Sequence, residues 1–141
     1  MFGGIKQSGS TNDLFLFNTD QNLLEEVKET KGTKPSKRWL HGSAVVNASL
    51  FVFGGYDTNY NYVNDLYELK IGDLEWIQIK YQCLDHLGNV NMKGISPRKG
   101  MSFFEFENRL HLFGGEYGIA LNDYHSYNPK TKIWSQAFFT N

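Results

Sequence analysis

Tyrosine is the residue type in this chain best suited to contact work. Tyr56, Tyr60 and Tyr62 share one short polar segment with Asp57, and Tyr117 follows Glu116 in a second. A tyrosine brings a broad ring, a hydrogen-bonding tip and little rotamer entropy to lose, the combination enriched at interface hot spots. Four histidines, His41, His86, His111 and His125, and one cysteine, Cys83, supply the nitrogen and sulfur ligands. No two of them have zinc-site or helix-face spacing, so no metal is expected. There is neither a nucleophile–base motif nor a phosphate-binding glycine loop. No enzyme chemistry and no cofactor are expected; what these residues offer is recognition by contact. A basic stretch, Lys28, Lys31, Lys34, Lys37 and Arg38, is opposed only by Glu29 and could meet an acidic peptide or an anionic polymer.

The composition narrows the class. The 141 residues carry 14 Lys+Arg against 15 Asp+Glu, a formal net charge of -1, which argues against a globally basic nucleic-acid binder. The 3 Trp, 8 Tyr, 11 Phe and 14 Gly, beside only 3 Pro, are too aromatic for disorder and suit many short strands broken by turns. No apolar run approaches membrane length, the N-terminal residues do not read as a signal peptide, and a lone cysteine forms no internal disulfide. An intracellular, cytoplasmic protein without membrane insertion is the expectation.

Self-comparison shows what must position the tyrosines. Phe-Gly-Gly occurs three times, ending at Gly3-Gly4, Gly54-Gly55 and Gly114-Gly115, so one unit recurs along the chain with a longer second spacing. Each glycine pair is followed by Asn-Asp (Asn12-Asp13, Asn64-Asp65, Asn122-Asp123) and then by an apolar or aromatic run. At the same distance after each Asn stands a large apolar residue: Leu24, Trp76 and Trp134. Arg38 and Arg98 occupy matching positions ahead of the second and third units, which predicts a structural role for both.

These landmarks resemble the kelch repeat, the blade unit of one class of β-propellers. Its pattern is a strand ending in Gly-Gly, then an aromatic, then a Trp seven positions later, and Tyr127 to Trp134 matches that spacing. Leu40-His41-Gly42-Ser43-Ala44-Val45-Val46, closing at Phe53-Gly54-Gly55, is similar to kelch as well. The resemblance implies an all-β fold, a kelch-type propeller fragment of about two and a half four-stranded antiparallel blades. The expected parts are an incomplete blade at 1–28, blades at 35–80 and 97–139, and a long inter-blade loop at 81–96. The third blade's outer strand is expected near Trp134–Phe138. Asn22 to Lys28 has helical propensity, but the repeat places a strand there.

Strand direction alternates, so the second-to-third-strand loops and the inter-blade connections emerge on one face of a propeller. All the long connections are of these two kinds, and functional residues concentrate on loops held by rigid scaffolds. That face is expected to bind protein partners through Tyr56, Asp57, Tyr60, Tyr62, His86, Glu116 and Tyr117, with the basic stretch on the same side. By resemblance, the blades are most similar to leucine-zipper-like regulators, small-GTPase effectors and cell-polarity or cytoskeletal kelch proteins. The leading expectation is a scaffold or protein-interaction module; a ubiquitin-ligase substrate adaptor and a kelch-type enzyme are the alternatives. Two and a half blades leave apolar faces uncovered, so the chain is expected not to stand as a free monomer: other chains or further blades would cover it.

Overall fold

The computed structural model describes residues 1–137, and among these every regular element is a β-strand. Strands β1 (Phe2–Lys6), β2 (Gly9–Asn18) and β3 (Leu23–Val27) form the first sheet, in that order. The helical propensity of Asn22–Lys28 is thus overridden: β3 pairs along β2 from Leu14–Val27 to Asn18–Leu23. The second sheet holds β4 (Lys31–Gly32), β5 (Arg38–Trp39), β6 (Gly42–Val46), β7 (Ser49–Asp57), β8 (Tyr62–Lys70) and β9 (Glu75–Ile79). Its order is β4-β9-β8-β7, with β5 and β6 both along the inner edge of β7. The third sheet holds β10 (Gln82–Leu84), β11 (Ser102–Phe106), β12 (Arg109–Glu116), β13 (Ala120–Asn128) and β14 (Ile133–Gln136), ordered β10-β14-β13-β12-β11. Phe138, and with it the end of the expected third blade, lies outside the described residues.

Pairing within each repeat is antiparallel, but β4 and β10 run parallel to β9 and β14. Each connection between sheets first lies along the outer edge of the next sheet and then turns inward. The stretch 81–96, expected as a loop, is therefore not irregular throughout. Its first residues give the third sheet an extra strand and cover an edge that would otherwise present unpaired backbone.

The sheets stack face to face, which explains the near-continuous apolar run of β7. Phe51 and Phe53 point toward the third sheet, packing with Leu66, Leu110, Leu112 and Trp134, while Val52 points back to Phe2, Leu14 and Trp76. A strand covered on both sides has no use for the polar alternation of a half-exposed one. The tryptophans complete each layer. Trp134 lies tilted against Tyr127 of its own sheet at 5.0 Å and against Phe53 of the preceding one at 5.7 Å; Trp76 sits 5.0 Å from Phe2 in the same way.

At the end of β7 the chain bulges through Gly54 and Gly55, whose φ values are 65° and 99°. A Cβ on Gly55 would meet the Trp39 carbonyl at 2.8 Å, and one on Gly54 would meet the Arg98 carbonyl at 2.7 Å. Only glycine admits both the conformation and the approach. Truncating Trp134, which is 0% exposed, to alanine should cost about 3–5 kcal/mol, the usual range for a buried aromatic. It would be read as a lowered urea midpoint with unchanged slope.

Candidate partner-binding face

The loops of the candidate face are anchored by two buried arginines. Arg38 donates to Asp65 Oδ1 at 2.6 Å and Oδ2 at 3.0 Å, and to the Gly54 carbonyl at 3.2 Å. Arg98 repeats the arrangement with Asp123 at 2.5 and 2.8 Å and the Gly114 carbonyl at 3.0 Å. In each case Nε donates to the carbonyl of the serine two positions earlier, Ser36 or Ser96. The Asp of the second and third Asn-Asp pairs thus neutralises the arginine of its own repeat. The Asn reaches the next connection: Asn12 donates to the Pro35 carbonyl and Asn64 to that of Ile95. Backbone bonds complete the seam between the second and third sheets, Gly55 N–H to the Arg98 carbonyl and Arg98 N–H to that of Val63. In the first repeat Asp13 pairs with Lys6.

Burial alone would raise the Asp123 carboxyl. The hydrogen bonds and charges of Arg98 and His125 overcome it and hold Asp123 well below the usual carboxylate range.

Two loops are ordered from within by one and the same device. Asp57 Oδ1 accepts the backbone N–H groups of Asn59 and Asn61, and Oδ2 accepts the Asn61 side-chain amide. Asp85 does likewise with Leu87, Asn89 and the Asn89 amide. Partial burial works against ionisation of Asp57, but these donors outweigh it and lower its pKa. Short polar loops so capped need no partner to hold their shape.

On this frame, tyrosines from the second sheet meet residues of the third. The Tyr62 hydroxyl donates to Glu116 Oε1 at 2.8 Å and accepts the Gly118 N–H at 3.2 Å. Tyr56 and Tyr62 lie 4.5 Å apart between ring centres, Tyr62 and Tyr117 5.1 Å, and Tyr56 and Tyr60 6.3 Å. Into this cluster points Lys99, its ammonium 4.3 Å above the Tyr56 ring, donating to the Tyr56 hydroxyl at 3.3 Å and 3.5 Å from Glu116. The Tyr56 hydroxyl, helped by the charge of Glu116, raises the Lys99 pKa against its partial desolvation. Tyr60 remains 73% exposed and Tyr117 50%. A groove beside them, toward the first sheet, is lined by Lys37, Trp39, Asp57, Tyr60, Ser8 and Ser10.

Tyr56, Asp57, Tyr60, Tyr62, Glu116 and Tyr117 therefore converge. His86 does not join them: it lies in the turn between Leu84 and Val90, beyond β10 at the outer edge of the third sheet. The basic stretch does not form one patch either. Pairing of β4 with β9 draws Lys31 to the outer edge of the second sheet, Lys37 turns into the groove, and Arg38 is wholly buried. A buried guanidinium bound twice to Asp65 is not available to an anionic partner, which corrects the expectation for Arg38. Its matching position to Arg98 was the sequence signal for that role. Lys99 and Trp39 were missed; their distance in sequence from the tyrosines hides them until the sheets are stacked.

Comparison with known proteins gives a consistent picture. The KLHDC2/KLHL20/DRC7 Kelch-repeats domain family matches residues 1–140. Human Kelch domain-containing protein 10 is 31% identical over 109 residues, 75% of this chain and 23% of that protein. The Drosophila melanogaster Leucine-zipper-like transcriptional regulator 1 homolog is 28% identical over 130 residues, 87% of this chain and 12% of the relative. Tip elongation aberrant protein 1 of Schizosaccharomyces pombe is 29% identical over 135 residues, 92% of this chain and 11% of its own length. The chain thus spans a quarter or less of each of these curated relatives.

Two outcomes follow from the geometry. Because the folded Asp123 pKa is depressed, its stabilising effect is complete above the unfolded value of about 3.9 and disappears as pH falls through the lower folded value. Urea midpoints measured against pH should show that acid-dependent loss in the native chain and a smaller one in Asp123→Asn, the remainder coming from other lowered carboxylates such as Asp57. Replacing Asp57 by alanine should speed amide exchange at Asn59 and Asn61 about tenfold, the equivalent of roughly 1.4 kcal/mol per lost bond, while core amides keep their protection.

Proposed function

The chain belongs to the kelch-repeat β-propeller family, and we propose that within it these residues form a non-catalytic protein-interaction module. Kelch-repeat domains are in general a non-enzymatic, protein-binding fold. The reading here is narrower. A partner segment lies on the face bearing the long loops, crossing the groove at Lys37, Trp39 and Tyr60 and ending on the Tyr62–Glu116–Tyr117 cluster. The repeats act as blades at 1–28, 35–80 and 97–139 that hold this face still, and the module works inside the cell. Among the described residues no helix is long and apolar enough to cross a membrane.

The observation that carries the reading is the pairing of Tyr62 with Glu116 across the seam between sheets, beside Lys99, with Tyr60 and Tyr117 left open to solvent. Rigid aromatic area next to a paired charge supports protein recognition more readily than reaction, because the polar groups are already satisfied by one another. The uncovered faces of the first and third sheets are a second partner surface, to be taken by other chains or further blades.

The loop-face reading is tested by capture from cell extract on the immobilised chain, quantified by mass spectrometry. A Tyr60→Ala/Tyr117→Ala double variant should retain its specific partners at least about tenfold less well, since hot-spot aromatics are each worth about 1–2 kcal/mol or more. Lys130→Ala, in the turn Pro129–Lys132 on the opposite side, should retain them fully. Equal capture by all three chains would refute the assignment of the face.

A further inference from the structure

Leu40 holds a backbone conformation that a leucine has no local reason to adopt. Its φ is 53°, in the left-handed region where a Cβ crowds the following carbonyl and Gly or Asn is the usual occupant. At the matching position of the next repeat, two residues after its buried arginine, stands Gly100 at φ 63°. Glycine therefore serves this turn without strain. Nor does Leu40 fill a core, since it is 46% exposed. Strain kept for the sake of an exposed side chain points to contact work.

Leu40 is one wall of a hollow of about 510 Å³, roomier than the groove of about 280 Å³ at Lys37. The hollow lies where the inner edges of the second and third sheets meet, beside the bond from the Gly100 N–H to the Leu40 carbonyl. Ile119, 71% exposed, is a second apolar wall, and Gly100, Gly115 and Gly118 add backbone without side chains. Both walls belong to positions that stay open between neighbouring sheets. Leu40 itself has the first sheet behind it and the third ahead. Ile119 matches Asn61 (each precedes the residue paired across its loop, Ala120 with Glu116 and Tyr62 with Tyr56), and Asn61 is exposed although the third sheet follows.

The charged pair in the hollow is Lys99 and Glu116. The ammonium sits over the Tyr56 ring with its side chain 19% exposed, whereas the Glu116 side chain is 47% exposed. Glu116 meets both the Tyr62 hydroxyl and Lys99 through Oε1. The second carboxylate oxygen has no hydrogen bond among the described residues. The hollow thus offers solvent two aliphatic walls and one acceptor of negative charge.

Resting on the loop face as the partner surface, we propose that this hollow takes an aliphatic side chain of an extended partner segment, flanked by a Lys or Arg that donates to Glu116 Oε2. Leu40 and Ile119 select the aliphatic residue by area, and Glu116 selects the sign of its neighbour. An acidic flank would place like charges together and be rejected, which is how such a site discriminates.

The test is selection from a phage-displayed library of random heptapeptides on the native chain, on Leu40→Gly and on Glu116→Gln. The native chain should enrich an aliphatic residue with Lys or Arg within two positions of it. Leu40→Gly should lose the aliphatic preference and keep the basic one, with a urea midpoint no lower than native because the strain is relieved. Glu116→Gln can still accept the Tyr62 hydroxyl, so it should keep the aliphatic preference and lose the basic one. By fluorescence anisotropy, a synthetic peptide of the native consensus should bind each variant about tenfold less tightly. The proposal is overturned by no enrichment, by acidic flanks, by native affinity in either variant, or by a lowered midpoint that assigns Leu40 to packing. A consensus peptide that fails on Tyr60→Ala/Tyr117→Ala yet binds both hollow variants normally overturns this proposal alone. One that binds all four chains alike overturns the loop-face reading as well.

Discussion

A guanidinium withdrawn from water has to be neutralised where it stands, and most of this architecture can be followed outward from that requirement at Arg98. Burying the charge is tolerable only if a carboxylate and further acceptors meet it in good geometry. Asp123 on β13 and the Gly114 carbonyl on β12 do so, which fixes two strands of the third sheet against the segment leading into it. The same residue's backbone is bonded to Gly55 and Val63 of the second sheet. One arginine thereby sets the position of its own sheet and of its neighbour. Arg38 ties the strands of its own sheet in the same way one repeat earlier, through Asp65 and Gly54.

The candidate face inherits its rigidity from these nodes. Tyr62 lies directly beside Val63, and Lys99 directly follows Arg98, so the tyrosine and the ammonium are brought together by the residues that weld the sheets. The internal capping by Asp57 then removes the need for a partner to order the loop. A surface pre-arranged in this way loses little entropy on binding, and affinity follows from that as much as from contact area.

Much of the fold was legible because it is repeated. Phe-Gly-Gly, Asn-Asp and the distant Trp recur in one order, and each has a single physical use: close backbone approach, neutralisation of arginine with capture of the next connection, and filling of the layer between sheets. The strand at Leu23–Val27 was readable only through the repeat, since its local composition favours helix. The extra strands β4 and β10 were not readable at all, because so short a strand leaves no periodicity and its pairing is set by the edge it happens to meet. His86 and the basic stretch show the same limit. They were grouped with the tyrosines because all lie on long connections, yet the path of a connection is decided by edge pairing and by where a buried charge can be satisfied.

By itself the amino-acid sequence determined the repeat unit, the all-β class, the faces of each strand and the segment from which the tyrosines project. These follow from local sterics and from an apolar pattern that is the same whatever the sheets later touch. Only the tertiary structure decided that Arg38 is a buried tie and not a surface charge, that Lys99 belongs with Tyr56 and Glu116, and that His86 stands apart. Those outcomes depend on which groups share a low-dielectric seam once the sheets are stacked, a property of the packed chain that no stretch of residues holds alone.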